Sequence, residues 1–193
     1  MKRLVLASTS PRRKELLNLI LQLWPQQIFE CVSPDIDETQ CENETPKQLV
    51  ERLAIEKAKA GLSLVDDENT VVIGSDTIVV IEDKVLGKPK DATDAKAILS
   101  RLSGACHQVM TAVALVTAQE VLACCVTTQV QFTELSDTDI EAYVASGEPM
   151  DKAGAYGIQG IGGTFVEQIS GSHSAVIGLP MAETQALLKQ ILK

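Results

Sequence analysis

The sequence has few basic residues, few aromatic residues and no long hydrophobic segment. Its 17 lysines and arginines are outnumbered by 26 acidic residues, and the net charge of −9 disfavours a nucleic acid polymer as a partner because such binding needs clustered cations. No apolar run is long enough to cross a bilayer, and no hydrophobic core of a signal peptide follows the N-terminus. We therefore expect a cytoplasmic protein with no membrane partner.

Cysteine is too sparse to organise the fold. The five cysteines are an odd number and include no Cys-x-x-Cys pair, so we expect neither a disulfide framework nor a zinc site. What the 193 residues do contain is 45% hydrophobic and 22% charged side chains, a composition typical of a globular chain with a sizeable aliphatic core. Because no linker or internal repeat is visible, we expect one domain over residues 1–193.

The spacing of apolar residues predicts a mixture of strands and helices. Strands are expected at about residues 4–6, 28–32, 71–81, 109–116, 121–132 and 164–169. Helices are expected to begin at Pro11, Pro46, Ala92 and Pro180 and after Ser136. Because strands and helices do not alternate strictly, we expect an α/β fold with a mixed, twisted sheet and helices packed on it.

The segment Ser8–Arg13 combines hydroxyl groups and guanidinium groups at the predicted start of a helix. Ser10 fits the N-cap and Pro11 the first helical position, so Arg12 and Arg13 fall in the first turn. The helix dipole disfavours cations there, and a bound anion would remove this conflict. The segment therefore predicts a phosphate-binding site, and the alternative is a basic turn that points into water.

Asp76 interrupts the apolar run Val71–Ile81 and needs a compensating partner if it is buried. It can act as a metal ligand or general base, or it can bind backbone N–H groups at a strand break marked by Gly74. Lys57 falls within the apolar stripe of the helix that begins at Pro46, so we expect its side chain to face the protein.

Two further charged residues lie in predicted turns. Glu38 ends an acidic turn that offers several carboxylates, and Lys88 lies between a glycine and a proline. Glu38 and Asp76 suit a hard cation such as Mg²⁺ or Mn²⁺, which binds carboxylates together with phosphates. Lys57, Lys88 and Arg12 suit phosphate oxygens. Taken singly, Glu38 is better explained as a solvated turn acid and Lys88 as a surface turn lysine, and only the set of charged residues together predicts a site.

A glycine-rich segment runs from Asp151 to Gly163 and fits neither the Gly-x-Gly-x-x-Gly pattern nor the P-loop pattern. Its glycines can let a ligand approach the backbone. Gln159 offers an amide that both donates and accepts hydrogen bonds, as the recognition of a nucleobase edge requires. A tight loop without a ligand is the alternative.

Four motifs together resemble the Maf family of nucleoside triphosphate pyrophosphatases. They occur in the order typical of the family and are Leu6–Arg13, Gly74–Thr77, Gly87–Pro89 and Asp151–Gly160. The last motif is similar to the branch of the family that acts on dTTP and UTP. The resemblance covers nearly the whole chain.

The resemblance implies two lobes of an α/β fold around a central cleft, as in Maf and ITPase-like proteins. It implies that a nucleoside triphosphate is hydrolysed to the monophosphate and pyrophosphate with a divalent metal cation, with Asp76 as the proton acceptor and Glu38 and Asp76 as metal ligands. Substrate contacts are expected from Ser8, Arg12, Arg13, Lys57, Thr77, Lys88 and Gln159, among which Arg12, Thr77 and Gln159 match specificity positions. The expected partner is the nucleotide substrate, and a homodimer is compatible with the chain.

Two other functions stay open on the sequence. A sister branch that acts on methylated guanosine triphosphate would keep the fold and the mechanism and change base recognition, although Gln159 favours the pyrimidine branch. A nucleotide sensor that regulates cell division without turnover would gain nothing from a buried Asp76, so this residue favours an enzyme. Release of pyrophosphate distinguishes the two.

Overall fold

The computed structural model describes residues 2–65 and 67–192, which form a mixed sheet with helices. The strands are β1 (Arg3–Ala7), β2 (Phe29–Val32), β3 (Thr70–Ile81), β4 (Lys84–Leu86), β5 (Cys106–Val116), β6 (Val121–Phe132) and β7 (Val166–Ser170). The helices are α1 (Pro11–Leu21), α2 (Pro46–Ser63), α3 (Ala92–Leu102), α4 (Asp137–Ala145), α5 (His173–Ile177) and α6 (Met181–Ile191). Short 3-10 segments cover Glu148–Asp151, Ala153–Ala155 and Ile161–Phe165.

The sheet contains both parallel and antiparallel pairs, which confirms the predicted α/β class. Its strand order is β2-β1-β3-β5-β6-β7, and β4 pairs with β3. Strand β1 is parallel to β2 and β3, whereas the β3–β4 and β6–β7 pairs are antiparallel. Glu82 and Asp83, the two residues between β3 and β4, both have positive φ, as a tight type I′ hairpin turn requires.

The chain divides into two compact units. The first unit comprises Met1–Asp76, Thr111–Val126 and Gly178–Lys193. The second unit comprises Thr77–Met110 and Thr127–Ile177. Strands β3, β5 and β6 each contribute residues to both units.

The first two helices follow the sequence signals closely. Helix α1 begins at Pro11 with Ser10 at the N-cap position, although the Ser10 side chain makes no capping hydrogen bond. Its apolar face, formed by Leu16, Leu17, Ile20 and Leu21, is buried, and the helix packs against α6. Helix α2 begins at Pro46, as predicted, with a capping box in which Thr45 Oγ1 accepts from the Gln48 N–H and the Gln48 side chain accepts from the Thr45 N–H. A proline at the first position marks the start of both helices, and the capping box further stabilises the start of α2.

Gly74 allows α2 to lie directly against β3. A Cβ at this position would come within 2.7 Å of the backbone nitrogen of Ala58, so only glycine fits without moving the helix. On the helix side the contact is made by Ala54 and Ala58, both fully buried. Gly74 therefore marks a close approach of helix and strand, and the alternative of a strand break at Gly74 is wrong because β3 runs through it without interruption.

The few aromatic residues are concentrated in the core of the second unit. The chain has three phenylalanines, two tyrosines and one tryptophan. Four of these six rings pack edge to face in the second unit, with neighbouring centroids 4.7–6.1 Å apart, and they are Phe132, Tyr143, Tyr156 and Phe165. The buried His107 ring completes the cluster, and its Nε2 lies 2.9 Å from the Tyr156 hydroxyl. The remaining two, Trp24 and Phe29, belong to the first unit.

The structure differs from the sequence predictions mainly in short elements. Strand β4, with three residues, and helix α5, with five, are too short to produce a periodic pattern and were not predicted. Strand β7 begins at Val166 and not at Thr164, because Ile161–Phe165 forms a 3-10 turn first. Within residues 2–65 and 67–192, no helix has the length and apolar character needed to cross a membrane.

Candidate active site

Three charged side chains of the first unit meet at one point. Lys57 Nζ lies 2.6 Å from Asp76 Oδ1 and 2.7 Å from Glu38 Oε1. The Asp76 and Lys57 side chains are only 10% and 13% exposed, whereas the Glu38 side chain is 54% exposed. A single ammonium group therefore compensates a buried carboxylate on one side and contacts a solvent-accessible carboxylate on the other.

The local folding of α2 and β3 explains the Lys57–Asp76 contact. Lys57 follows the apolar spacing of α2 and precedes Ala58, whose backbone lies against Gly74. Asp76 comes two residues after Gly74 on the same strand, so the close approach at the glycine brings the two side chains together. The prediction that Lys57 faces the protein is confirmed, and the partner of Asp76 is an ammonium group and not the backbone of a broken strand.

The acidic turn presents Glu38 because its neighbours are engaged elsewhere. The Asp37 carboxylate accepts a hydrogen bond from the Thr39 N–H at 2.9 Å. Arg52 on α2 donates to the Thr39 carbonyl at 2.9 Å and to the Glu44 carboxylate at 2.6 Å. The hydrogen bonds that Arg52 donates to the Glu44 carboxylate raise the pKa of Arg52, and this guanidinium ties the segment after the turn to α2. Nothing in the sequence near Arg52 indicates this role, because a contact with a preceding loop leaves no periodic signal.

The predicted phosphate-binding segment follows β1 directly. Ser8 Oγ is buried and accepts a hydrogen bond from the Ser10 N–H at 3.1 Å. The parallel register pairs Leu6 with Ile73, and extending it by two residues on each strand puts Ser8 level with Ser75, next to Asp76. The segment and the acidic residue therefore lie toward the same end of this strand pair.

Arg12 and Arg13 differ in their surroundings. Arg12 is partly exposed and makes no hydrogen bond or ion pair with the part of the chain that the structure describes. Arg13 Nε donates to the Gly178 carbonyl at 2.9 Å. Burial lowers the pKa of Arg13, the nearby Asp76 and Glu38 carboxylates act to raise it, and Arg12 acts to lower it further. Arg13 therefore lies near the two carboxylates that contact Lys57, Asp76 and Glu38.

Ser75 was not predicted to matter, but it shares a partner with Arg13. Its fully buried hydroxyl lies 2.8 Å from the Ala112 carbonyl oxygen and 3.0 Å from the Gly178 carbonyl oxygen. The Gly178 carbonyl therefore receives donors from both β3 and α1. Nothing in the sequence near Ser75 indicates this contact, because its partner lies 103 positions away.

The carboxylates at this site fit a divalent cation by their chemistry. Within the described residues, no group of three or more histidine, cysteine or acidic side chains could hold a metal by itself. Mg²⁺ does not need such a cage, because it commonly binds one or two carboxylates, several waters and the phosphates of a substrate. Glu38 and Asp76 both contact Lys57 and so supply two neighbouring carboxylates.

The remaining predicted site residues belong to the second unit. Thr77 follows Asp76 on β3 and is partly exposed, while Lys88 and Gln159 are exposed. The turn that carries Lys88 is tied to the glycine-rich segment, because the Gly154 N–H donates to the Gly87 carbonyl at 3.0 Å. The two motifs thus form one local structure.

The Glu148 carboxylate, which no sequence motif indicates, organises the glycine-rich segment. Glu148 accepts hydrogen bonds from the Tyr143 hydroxyl at 2.9 Å and from the N–H groups of Ile161 and Gly162 at 2.9 and 3.1 Å. Its position just before the glycines was the only available signal. The segment is therefore a tight loop built around an anionic side chain.

One family profile and several similar proteins match nearly the whole chain. The profile of the family described as Maf-like protein matches residues 3–191. The dTTP/UTP pyrophosphatase of Shewanella oneidensis is 59% identical over 188 residues, which cover 97% of each chain. The dTTP/UTP pyrophosphatase of Vibrio vulnificus is 51% identical over 192 residues, which cover 100% of each chain.

Solved structures share the fold at low sequence identity. The Ham1 protein of Staphylococcus aureus has a TM-score of 0.55 at 16% identity, covering 98% of this chain and 99% of that one. A HAM1 protein of Coxiella burnetii has a TM-score of 0.54 at 17% identity, covering 98% and 100%.

Proposed function

Because this chain belongs to the Maf family, we propose that it hydrolyses dTTP and UTP to the monophosphate and pyrophosphate. The observation that carries the proposal is the largely buried Asp76 carboxylate, which is held by Lys57 at 2.6 Å and lies near the Arg13 guanidinium. Relatives named dTTP/UTP pyrophosphatase are 51% and 59% identical over nearly the full chain, which supports the choice of substrate.

The triphosphate is bound, in this proposal, by the cations and hydroxyls of the predicted site. Ser8 and the first turn of α1 offer a hydroxyl and backbone N–H groups to an anion. Arg12, Arg13 and Lys88 offer charged donors, which form the stronger hydrogen bonds to phosphate. A chain with a net charge of −9 repels a polyanion in general, so this local concentration of cations is needed for a small anionic substrate.

The reaction proceeds by attack of water on the α-phosphorus. Asp76 orients the water and accepts its proton while the new phosphorus–oxygen bond forms and the bond to the bridging oxygen breaks. The electron pair of that bond leaves with pyrophosphate. Lys57 keeps the Asp76 carboxylate in place, and the cationic side chains stabilise the charge that passes to the leaving group.

A divalent metal is part of the proposal. Glu38 and Asp76 would hold it, since carboxylate oxygens are the ligands that Mg²⁺ and Mn²⁺ prefer. When bound, such a cation neutralises charge on the phosphate oxygens. Lys57 contacts both carboxylates and balances their charge from the protein side.

Base recognition is assigned to the second unit. Gln159 is exposed in the glycine-rich loop, and its amide can pair with the donor and acceptor groups on a pyrimidine edge. Thr77 supplies a further hydroxyl beside Asp76. The proposal also includes one domain over residues 1–193 and a cytoplasmic location, the latter because nucleoside triphosphates are made and used inside the cell.

Identification of the products tests the proposed reaction. The protein is incubated with dTTP, UTP, the purine triphosphates and methylated guanosine triphosphate, each with Mg²⁺ or Mn²⁺, and the products are separated by chromatography. We expect the monophosphate and pyrophosphate in equal amounts, with dTTP and UTP hydrolysed fastest. Orthophosphate as the main product would contradict cleavage at the α-phosphorus, and binding without turnover would instead indicate a nucleotide sensor.

A further inference from the structure

Glu148 and Tyr143 form a pair that holds the loop of Gln159 on both sides. The Tyr143 hydroxyl donates to Glu148 Oε1 at 2.9 Å and accepts from the Gly157 N–H at 3.1 Å. On the far side of Gln159, the N–H groups of Ile161 and Gly162 donate to the Glu148 carboxylate at 2.9 and 3.1 Å. Two residues before Gln159 and two residues after it, the backbone is therefore fixed to the same pair of side chains.

Gly160 fits this arrangement because the carboxylate occupies the space of a side chain. A Cβ built at Gly160 would lie 2.6 Å from Glu148 Cδ, closer than real Cβ contacts allow. The backbone next to Gln159 thus lies directly on the Glu148 carboxylate. The glycine is explained by this contact without any appeal to a ligand.

The Glu148 carboxylate is held in its charged form. Burial acts to raise the pKa of Glu148, but the backbone donors Ile161 and Gly162, the Tyr143 hydroxyl and the Lys152 charge outweigh it, so the pKa lies below its usual value. Lys152 Nζ donates to the Glu148 backbone carbonyl at 2.8 Å and to Asp151 at 2.6 Å. A charged acceptor forms stronger hydrogen bonds than a neutral one, so it fixes the loop more firmly.

We propose that Glu148, together with Tyr143, is a positioning residue that sets the geometry of Gln159 and thereby the preference for pyrimidine triphosphates. This inference rests on the proposed role of Gln159 in base recognition. An amide discriminates between bases only if it is held in one orientation, because a mobile amide adapts to either pattern of donors and acceptors. Glu148 itself touches no substrate in this proposal.

A double-mutant cycle tests the proposal. The kcat/KM values for dTTP and for dGTP are measured in the unchanged protein, in Glu148→Gln, in Gln159→Ala and in the double variant. Glu148→Gln keeps the size of the side chain but turns one acceptor into a donor that faces backbone N–H groups. We expect it to lower the ratio of the two values by about tenfold, with no further decrease when Gln159→Ala is already present.

Glu141→Gln is the matched control. Glu141 lies on α4 in the same unit, and its side chain is 66% exposed and paired with Lys96. The ratio should be unchanged in this variant. Tyr143→Phe provides a second, milder test, because it removes the hydroxyl that receives the Gly157 N–H and keeps the ring in the core; it should lower the ratio in the same direction.

The possible outcomes separate this inference from the function on which it rests. If Gln159→Ala leaves the ratio of kcat/KM for dTTP to kcat/KM for dGTP unchanged, Gln159 does not recognise the base. The proposed role of Gln159 and the positioning role of Glu148 are then both wrong. If Gln159→Ala lowers the ratio but neither Glu148→Gln nor Tyr143→Phe does, the positioning role alone is wrong. An equal additional decrease caused by Glu148→Gln in the Gln159→Ala background has the same meaning, because it shows an effect that does not pass through Gln159.

Discussion

Lys57 and Asp76 form an ion pair with 2.6 Å between Nζ and Oδ1, although they come from different elements and are both largely buried. Removal of one member of such a pair usually leaves an uncompensated charge. Here Lys57 also contacts Glu38 at 2.7 Å, so its ammonium keeps an anionic partner when Asp76 is neutralised. The chemistry of Asp76 can therefore be tested with little risk to the fold.

Neutralising Asp76 is expected to abolish most of the activity. Asp76→Asn keeps the shape of the side chain but removes the proton acceptor, so kcat for dTTP should fall by about 100-fold or more while circular dichroism stays unchanged. Asp83→Asn is the control, since Asp83 is exposed in the β3–β4 turn and asparagine tolerates its positive φ. A folded Asp76→Asn variant with nearly normal kcat would show that another group accepts the proton.

Glu38 is expected to affect the response to metal more than the fold. Glu38→Gln removes one of the two carboxylates, so the Mg²⁺ concentration for half-maximal activity should rise by about tenfold or more. Glu42→Gln, a change at an exposed residue of the same segment, should have no effect. Activity of the unchanged protein that persists after chelation of all divalent cations would argue against a metal requirement.

Lys88 and Gln159 are expected to recognise different parts of the substrate, the phosphates and the base. Lys88→Ala removes a cation that faces phosphate in the proposed function, so it should lower kcat/KM for all triphosphates by a similar factor. Gln159→Ala should lower kcat/KM for dTTP and UTP much more than for purine triphosphates, because an unsatisfied hydrogen bond costs about 1–3 kcal/mol. If Gln159→Ala lowered kcat/KM by the same factor for every triphosphate, Gln159 would not recognise the base, and the loop would only support the surrounding backbone.

His107 should make the stability of the second unit depend on pH. Burial lowers the pKa of His107 from 6.5 to about 4, so between these values the unfolded chain binds a proton that the folded chain excludes. The contribution of the neutral His107 to the free energy of unfolding is complete above about pH 6.5. It decreases as the pH falls toward 4, by up to about 3 kcal/mol.

Urea unfolding of His107→Gln provides the measurement. The glutamine does not titrate, and the carboxylates common to both proteins cancel in the comparison. The difference in unfolding free energy between the unchanged protein and His107→Gln should therefore shrink as the pH is lowered from 7 to 4.5. If the unfolding free energies of the two proteins changed in parallel with pH, His107 would not be the source of the pH dependence.

Periodic and capping signals predicted the elements that carry the site. The apolar spacing of α2 was sufficient to predict that Lys57 faces the protein. The long apolar run of β3 was sufficient to predict that Asp76 is buried. These signals depend on residues close together in the chain. The fold class and the family followed from the same local patterns and motifs.

The parts that the sequence did not predict are contacts between distant residues. Arg13 and the Gly178 carbonyl are 165 positions apart, and Ser75 reaches the same carbonyl. Glu148 lies nearer its partners, but carboxylates ahead of a glycine-rich loop are common and their direction depends on tertiary packing. The alternative of a strand break at Gly74 was open for a related reason, because a glycine required by a neighbouring helix looks the same in the sequence as one that ends a strand.

The uneven distribution of aromatic residues makes the two units spectroscopically distinguishable. Trp24, the single tryptophan, lies in the first unit, and both tyrosines lie in the core of the second unit. Tryptophan fluorescence excited at long wavelength therefore reports on the first unit alone, while the near-ultraviolet signal of Tyr143 and Tyr156 reports on the second. A single unlabelled sample can thus reveal whether the two units unfold together or one after the other.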